Sequence, residues 1–306
     1  MSTSKHTPSP CDVLVLGEYF CDLIFTGLPE PPRLGTDLFS RSFEMAPGGS
    51  GYILTTALHR LGVQARWMAH FGNDLFSQFV LAQAQQEGLD SSLFQIYDQP
   101  LRSLSASFSF THDRGFISYW DPFPVCHPEA VIAAQRPRWV VNPPFDCSAD
   151  SRALLEFIHQ HGGRAFVDCQ YVTTTLDEPG LVGTLRLVDV FAPNQSEACQ
   201  LTGEEEPADA AARLAQFCPL VVVKAGAQGA CACAGEQAWH APALPVEALD
   251  TTGAGDAFDA GFLAGLLWGE PIETCLRCGN ICGGLSTTQP GGARATPTLE
   301  ELKKFL

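Results

Sequence analysis

The chain has 306 residues, 45% apolar and 17% charged, the composition of an ordinary soluble globular protein with enough length for one large α/β domain or two smaller ones. Asp and Glu outnumber Lys and Arg by 34 to 18, and the formal charge of −16 opposes nonspecific attachment to nucleic acid or an anionic membrane, so a small-molecule partner is expected. No charged-then-apolar leader is visible and no apolar run approaches the roughly 20 residues of a membrane span, so the reading is cytoplasmic.

In chain order, residues 1 to 11 read as a loose tail and 12 to 306 as one domain. Asp12 to Gly17 (DVLVLG) has the form of a buried first strand of a parallel sheet. The stretch after it is rich in Pro and Gly with spaced aromatics (Phe25, Phe39, Phe43). A second such stretch, Leu104 to Trp120, alternates with period two around a turn at Thr111 to Gly115. Together, at about 18–46 and 97–121, these segments predict a small β-sheet outside the main domain.

Pro47-Gly48-Gly49-Ser50-Gly51-Tyr52 leads into a helix from Ile53 to Leu61, stopped by Gly62. A strand at ARWMAHFG, a loop with Asn73-Asp74 and a helix from Leu75 to Glu87 follow. Further strands are expected at Pro137 to Val141 and Ala165 to Asp168, with a helix from Ser148 to Gln160 between them. Such alternation predicts βαβ units with right-handed crossovers. Ligands bind beyond the C-terminal ends of strands in open sheets of this kind, which makes Asn142 and Asp168 candidates for substrate contact.

After a strand at Val188 to Ala192, Asn194 and Glu197 stand three apart at a helix start and can face the same point. There Glu197 could order the water shell of Mg²⁺ on nucleotide phosphates, or complete an N-terminal cap with Asn194. Leu220 to Lys224 is a buried strand followed by a turn with Gly226 and Gly229. Lys224 is the only lysine between positions 6 and 302, which suggests that it is placed for a purpose.

Twelve cysteines lie mostly among apolar neighbours and are expected as buried free thiols. Cys231 with Cys233, and Cys275 with Cys278 and Cys282, invite a metal reading. The second group falls on one helical face at spacings of three and four, which suits core packing at least as well.

Asp250-Thr251-Thr252-Gly253-Ala254-Gly255-Asp256 then runs into the apolar segment 257–268. The threonines can cap a helix start, and the three small residues let the backbone approach another group closely. Amides that find no acceptor in the first turn, together with the helix dipole, favour a bound anion such as a phosphate. A carboxylate at such a place is costly unless a proton acceptor is wanted, as when a hydroxyl attacks a phosphoryl group, so Asp256 is the candidate general base. The bland alternative is a tightly packed helix start with charge complementarity from Asp256.

Residues Asp250 to Leu263, DTTGAGDAFDAGFL, resemble the C-terminal signature of the ribokinase/PfkB family of carbohydrate kinases. The resemblance extends to Gly48-Gly49, to Gly72-Asn73-Asp74, to Asn194-Gln195-Ser196-Glu197 with its trailing Leu-Thr-Gly, and to the segment after Lys224. It implies a three-layer α/β/α fold with a mostly parallel sheet and a small β lid, and ATP with Mg²⁺ as cofactors. By the resemblance, Asp256 is the base, and Gly253, Ala254 and Gly255 form the anion hole. Asp22, Gly48 and Gly49 meet the substrate; Lys224, Gly226, Gly229 and Asn194 meet the nucleotide; Asn280 belongs to the adenine pocket. Glu197 serves the metal, and Asp250 with Thr252 a monovalent site for K⁺. The lid implies a homodimer. Where sugar kinases of the family commonly carry Asn after the glycines, this chain has Tyr52-Ile53-Leu54, which leaves the acceptor open.

The chain has no G-x-x-x-x-G-K-[ST], no G-x-G-x-x-G after the first strand, no G-x-S-x-G and no H-E-x-x-H, which removes P-loop kinases, dinucleotide dehydrogenases and common hydrolases. The expected activity is phosphorylation of a sugar hydroxyl by ATP. A nucleoside kinase of the same family and a non-catalytic sugar or nucleotide sensor are the alternatives.

Overall fold

The computed structural model describes residues 11–31, 33–35, 37–109, 114–125, 127–169 and 174–306. The first ten residues of the predicted tail, the turn at 111–113 and Cys126 lie outside the described residues.

The first half of the chain forms β1 (Val13–Leu16), β2 (Phe20–Thr26), β3 (Ser42–Gly48), α1 (Ser50–Arg60), β4 (Ala65–Phe71), α2 (Leu75–Glu87), β5 (Phe94–Ile96), β6 (Ser103–Ser109) and β7 (Arg114–Trp120). Next come α3 (Glu129–Gln135), β8 (Trp139–Val141), α4 (Ala149–Gln160), β9 (Arg164–Val167), α5 (Leu181–Leu185), β10 (Val190–Phe191), α6 (Gln195–Thr202) and α7 (Pro207–Leu214). The last part holds β11 (Leu220–Lys224), β12 (Ala230–Ala234), β13 (Gln237–Ala241), α8 (Ala254–Trp268), α9 (Ile272–Ser286) and α10 (Leu299–Lys303).

Among the described residues the main sheet runs β13-β12-β11-β10-β9-β8-β1-β4-β5. From β11 to β5 its neighbours pair in parallel, and β12 and β13 form an antiparallel edge. The strands are apolar without alternation because helices cover both faces. In β1, Val13 and Val15 pack into the layer of α1, α2, α8 and α9, while Leu14 and Leu16 pack into the layer of α3 to α7. This is the three-layer sandwich that the sequence implies. Because β1 lies between β4 and β8, the chain reverses its direction of winding there, and the crevice beyond the strand C-termini opens at that point.

Local chemistry sets most of the helix ends. Asp74 caps α2 by accepting the amides of Phe76 at 3.0 Å and Ser77 at 3.1 Å, and Gly88 ends it in the left-handed region at φ 81°. Ser148 caps α4 in the same way. Two expectations need correction. Helix α1 starts at Ser50, not Ile53, because Gly51 is a packing glycine: a Cβ there would run into the Gly17 carbonyl and the Trp67 indole. Residues 230–241, read only for their cysteines, form the β12–β13 hairpin, whose small alternating residues (ACACA) carry little hydrophobic contrast.

Most of the described cysteines are buried in the core, whereas Cys147 and Cys199, expected there as well, are only half-buried. Gly261 and Gly265 of α8 lie against Cys278 and Cys275 of α9, Cys282 is fully buried beside them, and these small residues let the two helices approach closely. Among the described residues no group of three His, Cys, Asp or Glu side chains could hold a metal ion, and no helix is long and apolar enough to cross a membrane.

The second sheet runs β3-β2-β6-β7. Its outer pairs are antiparallel, but β2 and β6 pair in parallel, which two independent hairpins would not give. Asp22 therefore sits inside β2 rather than on a strand exit. This sheet is tied to the main body by Ser103 Oγ donating to the Tyr19 carbonyl at 2.6 Å, and by the Tyr19 hydroxyl, 2.7 Å from Ser77 Oγ.

Candidate active site

The anion turn is held from both sides by Asp250. Its Oδ1 accepts the Thr252 amide at 2.9 Å, closing the turn locally, and its Oδ2 accepts the Gly291 amide at 2.9 Å, fixing the turn to the C-terminal loop. The Leu249 and Asp250 amides both donate to the Thr287 carbonyl, at 2.8 and 3.1 Å. Gly253 takes φ 69°, and a Cβ on it would lie 2.5 Å from Ile53 Cδ1 and 3.1 Å from Gly292 Cα. Only a glycine can turn the chain there. Helix α8 then starts at Ala254 with no side-chain cap; the Ala254 amide donates to the Thr251 carbonyl at a long 3.4 Å, and, as at any helix start, the first turn is short of acceptors within the helix itself.

Asp256 is half-buried in that first turn. Burial, reinforced by the neighbouring Asp168 and opposed by Lys224, pushes its carboxyl up to about 7. Lys224, at the end of β11, does not reach into the crevice as a free charge. Its Nζ donates to Asp168 Oδ1 at 2.7 Å and Asp259 Oδ2 at 2.9 Å, and it lies under Gly255, where a Cβ would be 3.4 Å from the ammonium. The paired carboxylates hold Lys224 firmly protonated despite its burial. Asp259 is 0% exposed, and its Oδ1 has no hydrogen-bond partner.

Asp22 lies in strand β2 of the second sheet. Burial, then the nearby Asp250, pushes its carboxyl up to about 7. A Cβ on Gly48 would overlap Asp22 Oδ2, and Gly49, at φ 83°, crosses the chain between Glu18 and Phe20 so closely that a Cβ would lie 2.7 Å from main-chain atoms. These glycines thus make room for protein groups, whatever else they meet. Glu18, just beyond β1, is another half-buried carboxyl, pushed up to about 7 by desolvation.

Asn142 adopts φ 53° and its Oδ1 accepts the Asp168 amide at 3.0 Å, latching the end of β8 to the end of β9. Asn194 and Glu197 form a reciprocal capping box, with the Asn194 amide on Glu197 Oε2 at 2.8 Å and the Glu197 amide on Asn194 Oδ1 at 3.0 Å. Burial raises the proton affinity of Glu197; the Asn194 amide and Lys224 oppose that rise and Asp168 adds to it. Gly226 opens a short 3₁₀ turn at φ 55°. Gly229 and Asn280 grip one stretch of main chain: a Cβ on Gly229 would overlap the Ala241 carbonyl, and Asn280 Nδ2 donates to the Ala241 and Pro242 carbonyls at 2.9 and 3.0 Å.

The fold thus brings Asp168, Glu197, Lys224, Gly255 and Asp256 into one cluster and Asp22, Gly48 and Asp250 into another. Asn280 and Gly229 are engaged with the chain that leads from β13 toward the turn. Sequence reasoning missed Asp259 and Glu18. The signal for Asp259 was present, as a carboxylate three residues after Asp256 inside an otherwise apolar helix.

The model of the pfkB family carbohydrate kinases matches residues 12–299. A fructokinase of Klebsiella pneumoniae is 30% identical over 281 residues, covering 85% of this chain and 92% of that protein. Among solved structures, Arabidopsis thaliana ribokinase complexed with ribose and ATP superposes with a TM-score of 0.80 at 19% identity, over 97% of this chain and 99% of that one. An E. coli protein described as a ribokinase II, in complex with ATP and Mg²⁺, gives 0.77 at 23% identity over 96% and 98%. At these identities the structural likeness speaks for the fold alone; the family-model match over nearly the whole chain speaks for the family. The chain belongs to the pfkB family of carbohydrate kinases and is an ATP-dependent kinase.

Proposed function

We propose that the protein transfers the γ-phosphoryl group of ATP to a hydroxyl of a sugar or sugar derivative, with Asp256 as general base and the amides of residues 253–256 as anion hole. The observation that carries this reading is a half-buried, desolvated carboxyl, held near the proton affinity of neutral pH, in the first turn of a helix whose N-terminus no side chain caps. The acceptor hydroxyl passes its proton to Asp256 as its oxygen attacks the γ-phosphorus in line and the bond to the ADP leaving oxygen breaks. Fixed amides then face the charge that accumulates on the phosphoryl oxygens without having to reorganise.

Asp22, opposite the turn, accepts acceptor hydroxyls, with Gly48 and Gly49 keeping that wall thin; Asn142 and Asp168 line the floor. Gly226, Gly229, Asn194 and Asn280 frame the nucleotide side, with Lys224 held behind them by Asp168 and Asp259. Glu197, a hard oxygen donor near Asp168 and Lys224, would hold the water shell of an Mg²⁺ ion that keeps most of its ligands as water and phosphate oxygens. When bound, Mg²⁺ neutralises phosphate charge. Asp250 locks the turn to Gly291 whether or not a K⁺ ion lies beside it and Thr252. Segments 18–46 and 97–121 act as the lid, excluding water that would otherwise compete as acceptor, and two lids pair in a homodimer.

The test is ATP consumption with Mg²⁺ and K⁺ across sugars, sugar acids and nucleosides, beside Asp256→Asn. Turnover of one acceptor, reduced at least about 100-fold in kcat by the substitution, is the expected result. Near-normal transfer by Asp256→Asn removes the base assignment, and turnover of nucleosides alone replaces the sugar reading by the nucleoside kinase reading.

A further inference from the structure

Three carboxylates, Asp168 from β9 and Asp256 and Asp259 from α8, surround one ammonium, Lys224 from β11. The lysine bridges two of them, at 2.7 and 2.9 Å, and the third is the carboxyl of the helix's first turn. The arrangement is costly. Desolvating an ammonium and a fully buried Asp259 for the sake of stability alone is a poor exchange, since such groups are often replaced by apolar side chains without loss. Asp259 moreover keeps one oxygen buried without a partner. Buried charge on this scale is more economically explained by what it does to its neighbour.

We propose that the Lys224 ammonium, clamped by Asp168 and Asp259 beneath Gly255, is a positioning residue for phosphoryl transfer: it keeps the Asp256 carboxylate ionised for the acceptor's proton and holds the first turn of α8 with its amides facing the transferred group. The inference rests on the reading of Asp256 as base. Two features of the geometry carry it. The ammonium is fixed by bonds from a strand and from the second turn of the same helix that bears Asp256, so it cannot swing away. Gly255, between them, has no side chain, and the ammonium comes within 3.4 Å of where a Cβ would be.

The charged groups that act on Asp256 are Asp168, just beyond β9, and Lys224 from β11; Asp259 of its own helix, raised by burial, is acted on by Asp256, and Glu197 of α6 feels Asp168 and Lys224 from outside. Of the two that act on Asp256, only Lys224 favours the ionised base. Removing Lys224 and removing Asp168 therefore have opposite effects on Asp256, which a staple holding β9, β11 and α8 together would not produce.

The experiment compares Lys224→Met, Asp168→Asn, their double variant and Asp256→Asn by the pH dependence of kcat, with KM for ATP and acceptor and a thermal melt for each. Lys224→Met is expected to lower kcat about 10- to 100-fold with KM for ATP within about threefold. It is expected to move the acid limb of kcat up by about 1 pH unit, and Asp168→Asn to move it down by a similar amount. The double variant returns the limb toward that of the wild type. If Lys224→Met does not fold, the near-isosteric Asp168→Asn decides by the direction of its shift. Lower melting temperatures with an unmoved limb in Asp168→Asn and any folded Lys224→Met would overturn the proposal and leave the triad a structural staple. Retained activity in Asp256→Asn would instead strike at the base assignment itself.

Discussion

The carboxylate of Asp22 lies across Gly48, occupying the place where any larger residue would put its Cβ. Strand β2 and strand β3 pair antiparallel, with Phe20 opposite Gly48 and Asp22 opposite Ala46, so the two residues are neighbours across the ladder. Gly48→Ala is expected to push the carboxylate aside, raising KM for the acceptor about tenfold or more while KM for ATP holds. Steady-state kinetics with each substrate varied in turn checks it; equal changes in both constants would contradict it.

Buried carboxyls make activity and stability depend on pH in opposite senses. Asp256, Asp22 and Glu18 are each raised to about 7 from ordinary carboxylate values near 4, chiefly by burial. A raised group binds its proton more tightly in the folded than in the unfolded state. It therefore contributes stability that is fully present below the unfolded value and is lost as pH rises through about 7. The ligand-free protein is expected to melt at a higher temperature at pH 6 than at pH 8. With Asp256 as the proposed base, transfer requires its ionised form, so kcat is expected to fall over the same interval as pH is lowered, and parallel melts and pH-rate profiles test the crossing.

Glu197 completes a capping box, and its proposed work for Mg²⁺ is a separate matter that two substitutions separate. Glu197→Gln keeps an acceptor for the Asn194 amide but removes the charge. Its stability is expected to stay within about 0.5 kcal/mol of wild type, while the Mg²⁺ concentration for half-maximal rate rises several-fold. Glu197→Ala loses the cap as well and is expected to cost about 1 kcal/mol in a denaturant melt. An unchanged Mg²⁺ requirement in Glu197→Gln would leave only the cap.

On the lid sheet, Ile117 and Trp120 of β7 are 66% and 59% exposed, and Phe43 of β3 is exposed as well. Apolar exposure of this kind on one small sheet fits the proposed lid-to-lid homodimer. Sedimentation is expected to give a dimer for the wild type and a monomer for Ile117→Glu combined with Trp120→Arg, with the main-domain fold intact by circular dichroism. A monomeric wild type would end that part of the reading.

Where local chemistry governs, the residues alone determined the outcome. Asp74 and Gly88 delimit α2, Asn194 and Glu197 cap α6, and the Gly-Ala-Gly turn opens α8, because caps and positive-φ turns depend on a few adjacent residues. The buried strands β1 and β11 were equally legible, since a short apolar run between turn signals has few other fates. Only the tertiary structure decided which charges meet. Lys224 finds Asp168 and Asp259 at separations of 56 and 35 residues, and nothing local in β11, β9 or α8 specifies those partners. Likewise, three cysteines at helical spacing read equally as metal ligands or as core until α8 is seen lying against them with Gly261 and Gly265. The parallel pairing of β2 with β6 joins strands some eighty residues apart, a register set by the body beneath the lid rather than by either strand. Pattern along the chain fixes elements and their ends; the identity of long-range partners depends on how whole layers pack, and the electrostatics of the cluster around Asp256 follow from that packing.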